Sequence, residues 1–437
     1  MNLPQILSLI LLVVILVLAV WRHVNIGLLG FSAAAIMVMA TTAIADGSDT
    51  NTVLSSKDVL SHFPGAIVTL LIGVSLLFAH LEKSGGLSWF TDQIYAKMGH
   101  RTNIVPWIGY FIGFAISTAG AFSTASITLL VPVIAALGRK HPRLFFICEM
   151  AAIIGANTGA LSPINPTGQV ILDAAKKAHV EYSPWLVWFL GMLISFVLVI
   201  ALQIVFQDKR VVETSDAKAP EKGFVLLKPI KQENGDNHQL QPFYAICSTI
   251  AVLIFLILVI FAKANVGLTA LTLAVIMMLF FTQQSKDFVK KIPWNAVVVI
   301  SGLLVFIGTM MQVDTMKAVE QGLLSMTSSK IALLFMLAYL TTFLSNVESS
   351  TLGVISLMIP MVFTIFGDSP QISLILTACA APAMLSVVNP IHIAGTLVVS
   401  VTEEKQQEMM FKRLLIIAFA TVPFFPGLAM IVPALMI

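Results

Sequence analysis

Long apolar runs alternate with short polar connections along almost the whole chain. Runs such as Ile6–Val20 and Ile246–Ala262 approach the roughly 20 residues that a helix needs to cross a bilayer. A transmembrane β-barrel would instead show alternating segments of about ten residues. The pattern therefore predicts an all-α polytopic membrane protein, with about ten spanning helices by hydropathy.

The two halves of the chain carry the same motifs in the same order. Residues 25–37 (NIGLLGFSAAAIM) match 265–277 (NVGLTALTLAVIM), and residues 116–132 (ISTAGAFSTASITLLVP) match 344–360 (LSNVESSTLGVISLMIP). An Asn-Pro pair also recurs in register. Each half holds an odd number of complete spans, which predicts that the second half is inverted, as in many secondary transporters. We predict repeats at 1–206 and 242–437, joined by a linker at 207–241.

Each repeat is predicted to contain two scaffold spans, one re-entrant hairpin with a polar tip, and one helix that is broken at prolines. The predicted ranges are 3–45, 104–137 and 144–175 in the first repeat, and 243–281, 331–366 and 372–400 in the second. Proline cannot continue a regular helix. Non-helical backbone at membrane depth is tolerated only where it is buried in protein or lines a cavity. We therefore predict that the hairpin tips and the helix breaks form the functional site.

The composition and the placement of charge agree with a membrane protein and predict its orientation. Of the 437 residues, 58% are hydrophobic and 11% are charged, against about 25% charged in soluble domains. The predicted topology places most of the 25 lysine and arginine residues on the face that holds the linker. The positive-inside rule then puts the linker in the cytoplasm of a bacterial-type inner membrane, with both termini outside.

The candidate chemistry lies in the four polar clusters. The sequence has no glycine-rich phosphate loop and no His-Glu-x-x-His motif, so we expect neither an enzyme nor a nucleic-acid-binding protein. The clusters contain no lysine or arginine, but broken helices offer N-termini that attract anions. The free carbonyl groups at the C-termini of the broken helices suit a small cation. Small polar residues in membrane helices can also serve close packing alone.

Three stretches of the first half carry a family resemblance. FPGAIVTLLIGVSLLFAHLEKSGGLSWF, STAGAFSTASITLLVPVIAALG and GANTGALSPINPTGQVI resemble the MatC-type malonate/dicarboxylate carriers of the ion transporter superfamily, which are related to divalent anion/sodium symporters. The resemblance implies elevator-type transport of small dicarboxylates by homodimers in the lipid bilayer. It implies coupling to Na⁺ or H⁺, with no cofactor other than Na⁺ at the hairpin tips.

The tips and breaks give two sets of candidate residues. The substrate-binding candidates are Ser117, Thr118, Ser162, Asn165, Thr167, Ser345, Asn346, Ser386, Asn389, His392 and Thr396. The cation-coupling candidates are Glu348, Ser123, Asn157, Thr158, Ser349 and Thr351. Thr118 and Val347 stand where the symporter pattern has Asn and Thr.

Acidic side chains within apolar segments are functional candidates. We hypothesise that Glu348, whose repeat partner is Gly120, binds H⁺ or helps to hold Na⁺. It could also be a structural acid that accepts from backbone N–H groups of the tip, or a tip glutamate in water. Glu149 is a weaker candidate for ion coupling and is predicted to form an interfacial pair near the basic cluster Arg139–Arg143, and His80 is expected to be interfacial as well.

The sequence thus predicts a secondary carrier of a small dicarboxylate, malonate-like or C4, coupled to Na⁺ or H⁺. A cation/proton antiporter or an oxyanion exporter of the same superfamily, with Glu348 as the ion site, is the alternative. A non-transporting membrane enzyme or assembly protein is a third possibility. The internal repeat and the lack of a catalytic motif argue against it.

Overall fold

The fold is built from helices. The computed structural model describes residues 2–22, 24–44, 53–86, 105–138, 142–206, 241–327, 329–347, 351–386, 388–390, 392–402 and 404–436. Every regular element in these ranges is helical. Two cation-coupling candidates, Glu348 and Ser349, lie outside the described residues. Residues 207–240 of the predicted linker lie outside them as well.

Nine helices are described in the first half of the chain. They are α1 (Leu3–Arg22), α2 (Ile26–Ile44), α3 (Ser56–Ser61), α4 (Gly65–Lys83), α5 (Val105–Thr118), α6 (Ser123–Gly138), α7 (Pro142–Gly159), α8 (Pro166–Ala178) and α9 (Pro184–Phe206).

The described helices of the second half follow in a similar order. They are α10 (Pro242–Ile260), α11 (Val266–Phe280), α12 (Phe288–Lys291), α13 (Trp294–Gln312), α14 (Thr315–Met326), α15 (Lys330–Val347), α16 (Thr351–Phe366), α17 (Ile372–Leu385), α18 (Ile393–Val401) and α19 (Glu404–Met436).

Six segments of the described chain are long and apolar enough to cross a membrane, as judged by length and composition. They are Ile26–Ala43, Ser56–Lys83, Pro184–Phe206, Pro242–Ile260, Trp294–Gln312 and Gln406–Met436. Shorter apolar helices accompany them, including α15, α16 and α17. The protein is therefore an all-α polytopic membrane protein.

Helices of the two halves pack crosswise. α2 packs against α13 and α4 packs against α11, although the repeat alignment pairs α2 with α11 and α4 with α13. Glycines at positions that the repeat alignment pairs mediate the two crossings: a Cβ on Gly73 would lie 2.7 Å from the Gly267 carbonyl oxygen, and one on Gly302 would overlap the Gly27 carbonyl. Such an exchange of partners is what two repeats related by a two-fold axis would produce; the division of the chain into two repeats stays a prediction.

The last helix and the short helix α3 are two of the elements that differ from the sequence prediction. The last helix runs from Glu404 to Met436 and contains Pro423, Pro426 and Pro433, whereas the sequence predicted a span at 411–432. The short helix α3 was not predicted. Its start follows from a capping box, because the Ser55 side chain accepts from the Asp58 backbone N–H while Asp58 binds back to Ser55.

The predictions for Glu149 and His80 were wrong. Both residues have 0% exposed surface. α7 begins at Pro142, seven residues before Glu149, so this glutamate lies well inside the helix bundle. His80 is covered because α10 and α12 pack against α4, and its Nδ1 lies 2.8 Å from the Tyr244 hydroxyl.

Candidate functional site

The first hairpin tip is the turn that connects α5 to α6. α5 ends at Thr118 and α6 begins at Ser123. Between them Gly120 has a φ of 115°, which side-chain-bearing residues rarely adopt. Glycine lets the chain turn here within four residues.

The first break lies between α7 and α8 and is hydrogen-bonded to this tip. The Nδ2 group of Asn165 donates to the carbonyl oxygens of Ser117 and Ala121, both at 2.8 Å. The Ser162 hydroxyl donates to the Thr118 carbonyl at 3.0 Å. Tip and break therefore form one unit, although these partners are 44 to 48 residues apart in sequence.

Asn165 also starts the second half of the broken helix. It is the N-cap of α8, and its Oδ1 accepts from the Thr167 backbone N–H at 3.0 Å. Pro166 occupies the first helical position, where a missing N–H costs nothing. Asn165 is fully buried and Thr167 is 3% exposed, so the cap and the start of α8 lie inside the protein.

The second tip and break repeat this arrangement with different partners. The Asn389 Nδ2 group donates to the Asn346 carbonyl oxygen at 3.1 Å. The Asn346 Nδ2 group donates to the Ser386 hydroxyl and to the Thr342 carbonyl, each at 2.9 Å. An asparagine that precedes a proline thus links the break to the tip in both halves.

The two tips differ in whether their buried polar side-chain atoms have hydrogen-bond partners among the described residues. In the first, the Ser117 hydroxyl lies 3.0 Å from the Ser126 hydroxyl. In the second, the Ser345 hydroxyl and the Asn346 Oδ1 are buried and have no hydrogen-bond partner among the described residues. Buried polar atoms normally have partners, so these two are the strongest candidates for contact with a ligand.

The remaining substrate candidates surround the second break. His392 is 9% exposed and occupies the N-cap position of α18, but its side chain does not cap the helix. The exposed Thr396 donates to the Pro390 carbonyl at 2.9 Å. The start of α18 therefore adds an imidazole and a half-helix N-terminus next to the second tip.

Four cation-coupling candidates lie within the described residues. Ser123 and Thr351 are the first residues of α6 and α16, directly after the two tips. Asn157 and Thr158 lie in the last turn of α7, and the Thr158 hydroxyl donates to the Ile154 carbonyl at 2.7 Å. The structure places the first two at the tips and the other two beside the first break.

The two broken helices meet in the bundle because α7 packs against α17. Contacts also cross the repeats, between α8 and α16 and between α18 and α6. Each hairpin thus touches the broken helix of the other half. Among the described residues, no group of three or more His, Cys, Asp or Glu side chains could hold a metal ion.

Trp188 contacts the first tip, and the sequence did not predict this contact. Its Nε1 donates to the Thr118 hydroxyl at 3.1 Å, and its ring stacks on Phe114 with centroids 5.2 Å apart. The contact joins α9 to the first tip. No sequence signal separates this tryptophan from Trp185, because both lie in the same apolar run.

An all-helical membrane bundle with paired polar tips and proline breaks defines the class: a multi-pass membrane protein. Its fold resembles the structure described as "Crystal structure of the Alcanivorax borkumensis YdaH transporter reveals an unusual topology". The TM-score is 0.52 at 12% identity, with 98% of this chain and 97% of that chain covered. At this identity the likeness concerns the fold alone.

The sequence model of the citrate transporter family, CitMHS, matches residues 16–381. The chain belongs to this family. No protein of curated function matches the sequence. The resemblance to MatC-type carriers in particular stays a prediction.

Proposed function

We propose that the protein is a secondary active transporter of small di- or tricarboxylates of malonate to citrate size, coupled to H⁺ or Na⁺. Membership of the citrate transporter family supports a carboxylate as cargo. The observation that carries the proposal is the second tip, where the Ser345 hydroxyl and the Asn346 Oδ1 are buried without a partner among the described residues.

The chemistry of these two atoms fits an anion accompanied by a cation. The Ser345 hydroxyl can donate to a carboxylate oxygen. The Asn346 Oδ1 can only accept, which suits a cation or a ligand hydroxyl. The N-terminus of α18 adds a partial positive charge. None of the tips and breaks contains lysine or arginine, so a co-transported cation would balance part of the substrate charge.

An elevator movement is the proposed mechanism. The moving block would comprise α5–α8 and α15–α18, in which hydrogen bonds tie each tip to its break. The frame would be built around the crossings of α2 with α13 and of α4 with α11. We expect spin labels on α11 and α17 to change their separation when substrate is added, while labels on α2 and α13 keep theirs. A constant α11–α17 distance would argue against an elevator.

The homodimer, the cytoplasmic linker and the external termini are parts of the same proposal. Apolar side chains are exposed along α10, including Phe243, Ile246 and Ile250. They suit contact with lipid or with a second copy. Cross-linking in membranes would test the dimer, and accessibility of single cysteines to a charged reagent would test the orientation.

Counterflow in proteoliposomes tests the transport function. The candidate substrates are malonate, succinate, malate, fumarate and citrate, each with and without Na⁺ at two pH values. We expect at least one to exchange, with a rate that depends on Na⁺ or pH. If none of these substrates were exchanged, the proposal would be wrong, and an antiporter or an oxyanion exporter would be favoured.

A further inference from the structure

Glu149 is a carboxylic acid in the interior of the bundle. It is 0% exposed, and neither Oε1 nor Oε2 has a hydrogen-bond partner among the described residues. It lies in α7, seven residues after Pro142 and ten residues before Gly159. At 1.5 Å per residue, it is about 10 Å from one end of the helix and about 15 Å from the other.

The packing at this level of α7 is apolar. The carbonyl oxygen of Cys148, the preceding residue, is 3.4 Å from the position that a Cβ on Gly109 would take. The same position is 3.0 Å from Ile134 and 3.3 Å from Ala152. α5, α6 and α7 therefore meet closely here, through small and aliphatic side chains.

The described helices that pack most extensively against α7 provide no countercharge. They are α5, α6, α9 and α17, and none of them contains Asp, Glu, Lys, Arg or His. Their titratable groups are Tyr110 and Cys379, and α7 itself adds Cys148 and Arg143. Position 143 is six residues before Glu149, a spacing that does not share a helix face with it.

Within the described part of the chain, an ionised carboxylate here would have neither a counter-ion nor a hydrogen-bond donor, and an unpaired buried charge is strongly destabilising. The protonated acid avoids this cost. A sodium ion would require several oxygen ligands around the carboxylate, and the described helices packed against α7 supply no second carboxylate for it, whereas a proton needs only Glu149 itself. The geometry therefore selects a proton as the ligand of Glu149.

We propose that Glu149 is a proton-binding site of the transport cycle. Its carboxyl group holds the proton in the packed conformation described here. It releases the proton to water when the bundle around α7 opens, and rebinds one before it closes again. This inference rests on the proposed function, since it assigns the coupling ion and the residue that carries it.

Substituting glutamine for Glu149 separates exchange from coupling, because glutamine resembles the protonated acid but cannot titrate. In proteoliposomes, we expect E149Q to retain citrate or succinate counterflow, with a rate that no longer depends on pH. It should lose the accumulation that a pH gradient drives, so that the internal substrate concentration never exceeds the external one. Accumulation equal to that of the wild type would overturn the proposal.

Two further variants make this result specific. E181Q removes an exposed carboxylate of the same half and should leave pH-driven accumulation unchanged. E149D keeps an acid that can titrate, one methylene shorter, and should restore accumulation with a shifted pH midpoint. If E149Q does not fold, E149D carries the test: a pH midpoint identical to that of the wild type would overturn the proposal.

Infrared spectroscopy reads the protonation of Glu149 without transport. The solubilised wild type should show the carbonyl band of a protonated carboxylic acid that is absent from E149Q and present in E181Q. Absence of a band that depends on Glu149 would overturn the proposal. If the wild type exchanged no anion, the proposed function would fail, and this band would still decide whether Glu149 holds a proton.

Discussion

The first and second hairpin tips have the same residue types, but their polar atoms differ in how completely they are hydrogen-bonded. At the first, Asn165 is bonded to two tip carbonyls and to the Thr167 N–H, and Ser117 meets Ser126. At the second, Ser345 and Asn346 keep buried polar atoms without partners among the described residues. The comparison indicates that the first tip mainly stabilises the structure as a brace, whereas the second tip is the better candidate for substrate binding.

The largest expected effect is on stability, at the first tip. Asn165→Ala removes a helix cap and leaves two buried carbonyl oxygens without their donor, which should cost about 1–3 kcal/mol for each carbonyl. The matched control is Asn265→Ala, because Asn265 only caps α11 through the Leu268 N–H at 3.0 Å. That change should cost about 1 kcal/mol.

Thermal unfolding in detergent, followed by tryptophan fluorescence, compares the two variants. We expect the melting temperature of Asn165→Ala to fall well below that of Asn265→Ala. Equal losses would mean that the bonds from Asn165 to the tip contribute nothing, and the first tip could not then be called a brace.

The turn of the first tip should show an intermediate effect. Gly120→Ala forces a side-chain-bearing residue to a φ of 115°, at a cost of about 1–3 kcal/mol. Space is not the obstacle, because the nearest atoms to the new Cβ would be 3.6 Å away. Gly65→Ala, where no atom lies within 4 Å of the new Cβ, should be nearly neutral. The same melting experiment checks both variants, and two equal changes would exclude strain at the tip.

The smallest expected effect concerns the contact between α9 and the first tip. Trp188→Phe loses the hydrogen bond to Thr118 but keeps an aromatic ring against Phe114. We expect a loss of about 0.5–1.5 kcal/mol. A double-mutant cycle with Thr118→Val isolates this bond, and a coupling energy near zero would show that it does not stabilise the tip.

The sequence predicts the outline of this arrangement because local chemistry dictates it. Helices cannot continue regularly through Pro166, and a run such as Pro184–Phe206 is long enough to span a membrane. The partners of the polar side chains depend on tertiary packing instead. The Asn165 amide finds the Ser117 carbonyl 48 positions away, and nothing near Asn165 in sequence indicates that contact.

Glu149 illustrates the same limit. Its closeness in sequence to Arg139–Arg143 predicted an interfacial pair, because a helix start usually lies at the membrane surface. Its burial depends on α5, α6, α9 and α17, which surround α7 only in the folded bundle. The role of Glu348 stays a prediction, since this residue lies outside the described residues.

The most direct test of the difference between the tips is the KM of counterflow for Ser345→Ala and Ser117→Ala, measured with the best substrate of the wild type. We expect Ser345→Ala to raise KM about tenfold, equivalent to about 1.4 kcal/mol, because it removes a hydroxyl that we propose to contact the substrate. Ser117→Ala should leave KM nearly unchanged and lower only the melting temperature. An equal or larger rise in KM for Ser117→Ala would contradict the assignment of cargo binding to the second tip.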